Sequence, residues 1–142
     1  MALFLSTTTN KVDSKGRVSV PAPFRAALAG QSFHGIVAIP SFKYNAVQCA
    51  GMDWMERISG EVDAYGVFSD DHDTMTAALF ASAQQLAFDG EGRIILPAPL
   101  MAHANITKMA AFVGRGPVTT CSALPIAALN SWRRLRAPSA WR

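Results

Sequence analysis

Two short stretches of the chain alternate with a period of two, and each stands just before a turn signal. In the first, Thr8, Asn10 and Val12 alternate with Thr9 and Lys11 in a β-branched run; in the second, Leu86 and Phe88 flank Ala87. Both predict strands. Asp-x-x-Gly-Arg follows each stretch, with Asp accepting backbone hydrogen bonds and Gly16 or Gly92 free to take a positive φ. A second strand is predicted at Arg17 to Val20 and at Arg93 to Leu96. Val18 and Val20 share one face and Ile94 and Leu96 share the equivalent one, whereas Ser19 against Ile95 makes the opposite face wetter in the first half. Pro-Ala-Pro then places Pro23 or Pro99 in the first turn of a helix. The helices predicted at Phe24 to Ala29 and Leu100 to Ala104 stop at Gly30 and Asn105, residues suited to a left-handed cap. Apolar runs at Ile36 to Ile39 and Met109 to Val113 predict one further strand each.

These parallels amount to an internal repeat. DSKGRVSVPAP at residues 13 to 23 and DGEGRIILPAP at residues 89 to 99 match at a constant offset of 76, sharing Asp, Gly, Arg, Pro, Ala and Pro. The repeating unit is strand, turn, strand, short helix, strand. A unit of roughly 45 residues buries little core alone, so each copy is the natural partner of the other. Interleaved hairpins would complete each other's sheet and cover exposed edges. The expected fold is α+β, mainly β: a small mixed barrel with pseudo-twofold symmetry, short helices and a helical connector. Its units are residues 7–52 and 83–126, its connector residues 53–82, and residues 127–142 an atypical tail.

The connector differs in character. Asp53, Glu56, Glu61, Asp63, Asp70, Asp71 and Asp73 place seven of the ten acids there, opposed only by Arg57. Asp70 with Asp73 reads as a helix cap and acidic first turn, ahead of an apolar face of Met75, Ala78, Leu79 and Ala83. A solvated helical face explains these carboxylates better than a metal site, since no metal-loop motif accompanies them.

Half of the 142 residues are apolar and 16% are charged, enough apolar surface to fold. No stretch approaches the roughly 20 apolar residues of a spanning helix. MALFLSTTTNKVD lacks the basic start and long apolar run of a secretory signal, which predicts a cytoplasmic location. Cys49 and Cys121 form no Cys-x-x-Cys, so reduced thiols are expected, without a disulfide framework or zinc. No cofactor, metal or small-molecule substrate is indicated.

The quoted residues carry a resemblance. NKVDSKGRVSVPAPFR, the second DGEGRIILP and AAFVGRG resemble the MraZ family of bacterial transcriptional regulators over residues 5 to about 117. The resemblance implies two AbrB-like swapped-hairpin units in one chain. It also implies a DNA-binding protein of the cytoplasm and nucleoid that acts on the promoter of the division and cell-wall gene cluster. Subunits of the family assemble into rings that present several copies of one loop to closely spaced G-rich direct repeats.

The candidate contacts follow from the first turn. Lys11, Lys15 and Arg17 cluster there with Asp13 as the only acid, and Arg suits bidentate contact with guanine O6 and N7. Arg17 leads, with Lys15, Lys11, Asn10 and Arg93 as further DNA-binding candidates. In the second turn Glu91 replaces Lys15, leaving two acids and one Arg, which predicts that this loop repels phosphate. Asp13, Gly16, Asp89 and Gly92 are assigned to turn structure, each Asp pairing with the Arg four residues on.

Two other function classes compete. Matched Asp residues in two halves echo aspartic-protease logic, but that requires Asp-Thr-Gly or Asp-Ser-Gly, and Lys15 and Glu91 interrupt it. Walker A, Gly-x-Ser-x-Gly and His-Glu-x-x-His motifs are missing, and His34, His72 and His103 share no ligand spacing, so no enzyme is expected. The alternative is a protein-binding, antitoxin-like module of the same fold, because fold does not fix function.

After Gly116-Pro117 the chain contains no acid, is rich in Arg, Ala, Pro and Ser, and departs from the family pattern. A change of reading frame near Pro117 is expected, which resequencing of the locus would test. The tail also recasts the charge. The pI of 9.2 depends on Arg133, Arg134, Arg136 and Arg142; residues 1 to 116 hold nine basic against ten acidic side chains.

Overall fold

The computed structural model describes residues 2–124. In the first half, β1 (Thr7–Lys11) and β2 (Arg17–Ser19) lead into α1 (Ala22–Ala27), β3 (Gly35–Pro40) and β4 (Val47–Ala50). The second half repeats this order with β5 (Gln84–Ala87), β6 (Arg93–Ile95), α4 (Ala98–His103), β7 (Met109–Gly114) and β8 (Thr119–Ser122). Local chemistry explains the boundaries. Each short helix begins with proline in its first turn, and the chain beyond turns at Gly30 and Asn105, with φ of +81° and +57°.

Between the halves lie α2 (Met52–Asp63) and α3 (Asp70–Thr76), the latter continuing as a π-helical turn over Ala77–Ala81. The cap of α3 is Ser69, one residue before the expected Asp70: its hydroxyl accepts the His72 backbone N–H at 3.1 Å. A hydroxyl satisfies the orphan donor without adding a further carboxylate to Asp70, Asp71 and Asp73, which line the first turn. Met75, Leu79 and Ala83 pack with Ile39, Ile58, Val62 and Phe80 as a small second cluster that seats the connector on β3.

Among the described residues six strands form one sheet in the order β1-β7-β8-β4-β3-β5, and β2 pairs with β6 in a separate two-stranded ribbon. Exchanging the two halves maps both orders onto themselves. The outer strands are traded, since β1 lies on β7 of the second half and β5 on β3 of the first. Among the described residues every pairing is antiparallel, so where the sequence suggests a mixed barrel the strands pair in one sense only. The physical reason is symmetry. A twofold relation reverses the strand it copies, so β4 beside β8 and β2 beside β6 run antiparallel, and the hairpins β3-β4 and β7-β8 do so by their short connections.

Both halves build one core. Val18 and Val20 meet Ile94 and Leu96, with Phe4, Phe24, Ile36, Val47, Leu100 and Phe112 in the same cluster. Phe24 stands edge-on to both Phe4 and Phe112, at centroid separations of 5.3 and 6.4 Å. Cys49 and Cys121 are free and buried. Burial, reinforced by Cys121, pushes the Cys49 thiol well up, and burial pushes Cys121 up to about 12, so both stay protonated and poorly nucleophilic.

The sheet continues past Pro117: Thr119 to Ser122 are buried in β8, between β7 and β4. The atypical tail at 127–142 lies outside the described residues. Among the described residues no helix is long and apolar enough to cross a membrane, and no group of three or more His, Cys, Asp or Glu could hold a metal ion.

Candidate nucleic-acid interface

The two Asp-x-x-Gly-Arg turns close on the same set of bonds. In the first, the Asp13 carboxylate accepts the backbone N–H of Lys15 and of Arg17, each at 2.9 Å, and the Arg17 Nε–H at 2.6 Å. In the second, the Asp89 carboxylate accepts the N–H of Glu91 at 2.8 Å, the N–H of Arg93 at 2.9 Å and the Arg93 Nε–H at 2.8 Å. Gly16 and Gly92 complete the turns at φ of +81° and +75°. Each turn is also fastened to the other half, because Leu96 N–H donates to Gly16 O and Val20 N–H to Gly92 O. A β-carbon on Gly16 would stand 2.9 Å from the backbone carbonyl oxygen of Leu96.

This network shifts both carboxyls. The backbone N–H of Arg17 lowers the Asp13 pKa, and the backbone N–H of Arg93 lowers that of Asp89, more than burial raises them. A folded-state value below the ordinary 3.8 means the stabilisation is present above pH 3.8 and is lost as pH falls through the lower folded value. Denaturation of the wild type and of an Asp13→Asn, Asp89→Asn variant should therefore differ at pH 6 and converge in strong acid. Equal curves at pH 6 would contradict the role of the carboxylates.

The ribbon positions the arginines. Arg17 lies opposite Ile95 and Ser19 opposite Arg93, and directly opposed residues of an antiparallel pair share a face. Val18 and Ile94 are buried on the inner face, which turns Arg17, Ser19, Arg93 and Ile95 outward. The Arg17 and Arg93 side chains are 34% and 28% exposed, each braced by its Asp. Lys15 is exposed at the tip of the first turn and Lys11 at the end of β1. Asn10 acts differently: its Nδ2–H donates to Ser19 O at 2.7 Å, tying β1 to the ribbon. Thus the fold brings Arg17 and Arg93 to one ribbon, with Lys15 on its first turn and Asn10 bonded to its backbone.

Two residues escaped the sequence reading. Arg25 lays its guanidinium against the second turn, where a β-carbon on Gly92 would stand 2.6 Å away, while its Nε–H donates to Val20 O at 3.1 Å. The residue 76 positions later is Met101, which sits against Gly16 in the first turn. Arg25 therefore stands as a second cation beside the second turn, whose own charges are Asp89, Glu91 and Arg93. The second is Ile95, 59% exposed on the outward face. The repeat offset would have flagged Arg25; the Ser19 against Ile95 difference was visible but had no partner to give it meaning.

A family model described as "MraZ protein, putative antitoxin-like" matches residues 79–118. Proteins named Transcriptional regulator MraZ are similar over most of the chain. That of Rickettsia bellii (strain OSU 85-389) is 43% identical over 119 residues, which is 83% of this chain and 79% of that protein. Those of Rickettsia rickettsii (strain Sheila Smith), at 43%, and Rickettsia typhi (strain ATCC VR-144 / Wilmington), at 44%, cover nearly the same share. With this identity over so much of both partners, the chain belongs to the MraZ family.

Proposed function

We propose that the chain is a sequence-specific DNA-binding transcriptional regulator, acting as a repressor, built from two AbrB-like swapped-hairpin units joined by the 53–82 connector. The observation that carries this reading is the ribbon: two arginines, each held by a carboxylate and a rigid turn, stand on the outward face of one two-stranded antiparallel element. The B-DNA major groove admits such a ribbon, and braced guanidinium groups suit guanine edges. The similarity to proteins named transcriptional regulator supports the same conclusion.

Arg17 and Arg93 then contact bases, Lys15 and Lys11 neutralise phosphates, and Asp13, Gly16, Asp89 and Gly92 set the turns. Few contacts per subunit mean that useful affinity comes from several subunits on neighbouring sites, where effective concentration raises avidity. A ring on G-rich direct repeats, at the promoter of the division and cell-wall gene cluster, meets that requirement, and places the protein in the cytoplasm at the nucleoid.

Binding of the full chain to a duplex with closely spaced G-rich direct repeats, and to a shuffled duplex, tests this over a range of salt. Affinity should favour the repeats and fall linearly with salt on logarithmic axes. Lys15→Ala should weaken both duplexes alike and reduce the slope by about 1 per bound subunit. Absence of any preference for the repeats would overturn the reading in favour of the protein-binding, antitoxin-like module.

A further inference from the structure

Resting on the DNA-binding reading above, we infer that Ile95 is a specificity-determining residue that contacts the 5-methyl group of a thymine beside the base read by Arg17. Ile95 is the exposed member of β6, directly across the ribbon from Arg17. It abuts the first turn, since a β-carbon on Gly16 would stand 3.9 Å from its Cγ2. It shares a concave patch with Lys15 and Gly16. The other three outward positions of the ribbon, Arg17, Ser19 and Arg93, are polar, and a β-branched apolar side chain held in water beside them gains by covering another apolar group. In the major groove the one apolar feature of the base edges is the thymine methyl.

The other end of the ribbon lacks this feature. Arg93 lies opposite Ser19, a hydroxyl that accepts or donates to any base edge. The two ends of a ribbon related by the internal repeat thus carry different chemistry: Arg with Ile at one, Arg with Ser at the other. Identical ends would read the two DNA strands alike and favour inverted repeats. The Ile95 and Ser19 difference gives the ribbon a direction, which suits sites arranged head to tail.

The test uses full-length wild type and Ile95→Ser, each selecting from a library of random-sequence DNA duplexes. The selected duplex is remade with deoxyuridine replacing thymidine one position at a time, which removes single methyl groups. Wild type is expected to select a thymine next to a guanine and to lose about 2- to 10-fold in affinity when that one methyl is removed, in line with one small apolar contact. Ile95→Ser should keep the guanine and lose the methyl dependence. Equal methyl dependence in both proteins, or none in wild type, overturns the inference while leaving the DNA reading intact. An altered assembly size for Ile95→Ser with an unchanged selected motif also overturns it, placing Ile95 in a subunit contact. Failure of wild type to select any motif overturns both readings together.

Discussion

Arg17→Ala is expected to cost about 1 to 3 kcal/mol at each DNA contact, the worth of one good bidentate pair to a base. The Nε–H of Arg17 is committed to Asp13 at 2.6 Å, leaving the two Nη groups as the donor pair for guanine O6 and N7. The same bond fixes the side chain before DNA arrives, so little rotamer freedom remains to be lost on binding. Where several subunits engage one duplex, the loss recurs at each, and the change in total affinity exceeds that of a single contact. Quantitative binding on G-rich repeats should show the loss together with relaxed preference at the guanine. Arg17→Lys should recover phosphate attraction but not selectivity, because an ammonium is a point charge without the planar fork. Binding unchanged by Arg17→Ala would remove this residue from the mechanism.

The second large effect concerns the core beneath the ribbon. Phe112→Ala is expected to destabilise the chain by about 3 to 5 kcal/mol, through lost transfer energy and the cavity left behind. Phe112 is fully buried, meets Phe24 edge-on and belongs to β7, the strand that holds β1 across the two halves. The cost is a large fraction of the 5 to 15 kcal/mol typical of a domain. A urea titration should show a much lower midpoint with a similar slope. Phe68→Ala, at a fully exposed position, should stay within about 0.5 kcal/mol of wild type. A Phe112→Ala midpoint close to that of Phe68→Ala would show that the aromatic cluster does not anchor the sheet.

The two effects are separable. Arg17 faces water on the outer side of the ribbon, whereas Val18, its neighbour in β2, faces the core. Changes on the outward face should alter binding with little effect on stability, and changes beneath should lower stability first.

Much of the fold was legible because it rests on local chemistry. Period-two alternation marks β1 and β5; Asp and Gly at fixed offsets mark the turns; proline and a left-handed residue bracket α1 and α4. Val18 with Val20 and Ile94 with Leu96 identified the buried face, since a strand side chain's direction depends only on parity. The basic pI, by contrast, was poor support for a DNA-binding conclusion: it comes from the four arginines of the tail, and the body is slightly acidic.

What remained hidden depends on contacts between residues far apart in the chain. The repeat, the place of each turn and the charges each turn carries are legible along the chain, because those features are written in residues within a few positions of one another. Long-range packing sets the rest: β2 pairs with β6 so that Arg17 and Arg93 share one outward face, Arg25 reaches the second turn, and Ile95 lies across from Arg17. Strand pairing and cross-strand register follow from burying one common core, and that choice is made by the whole chain at once.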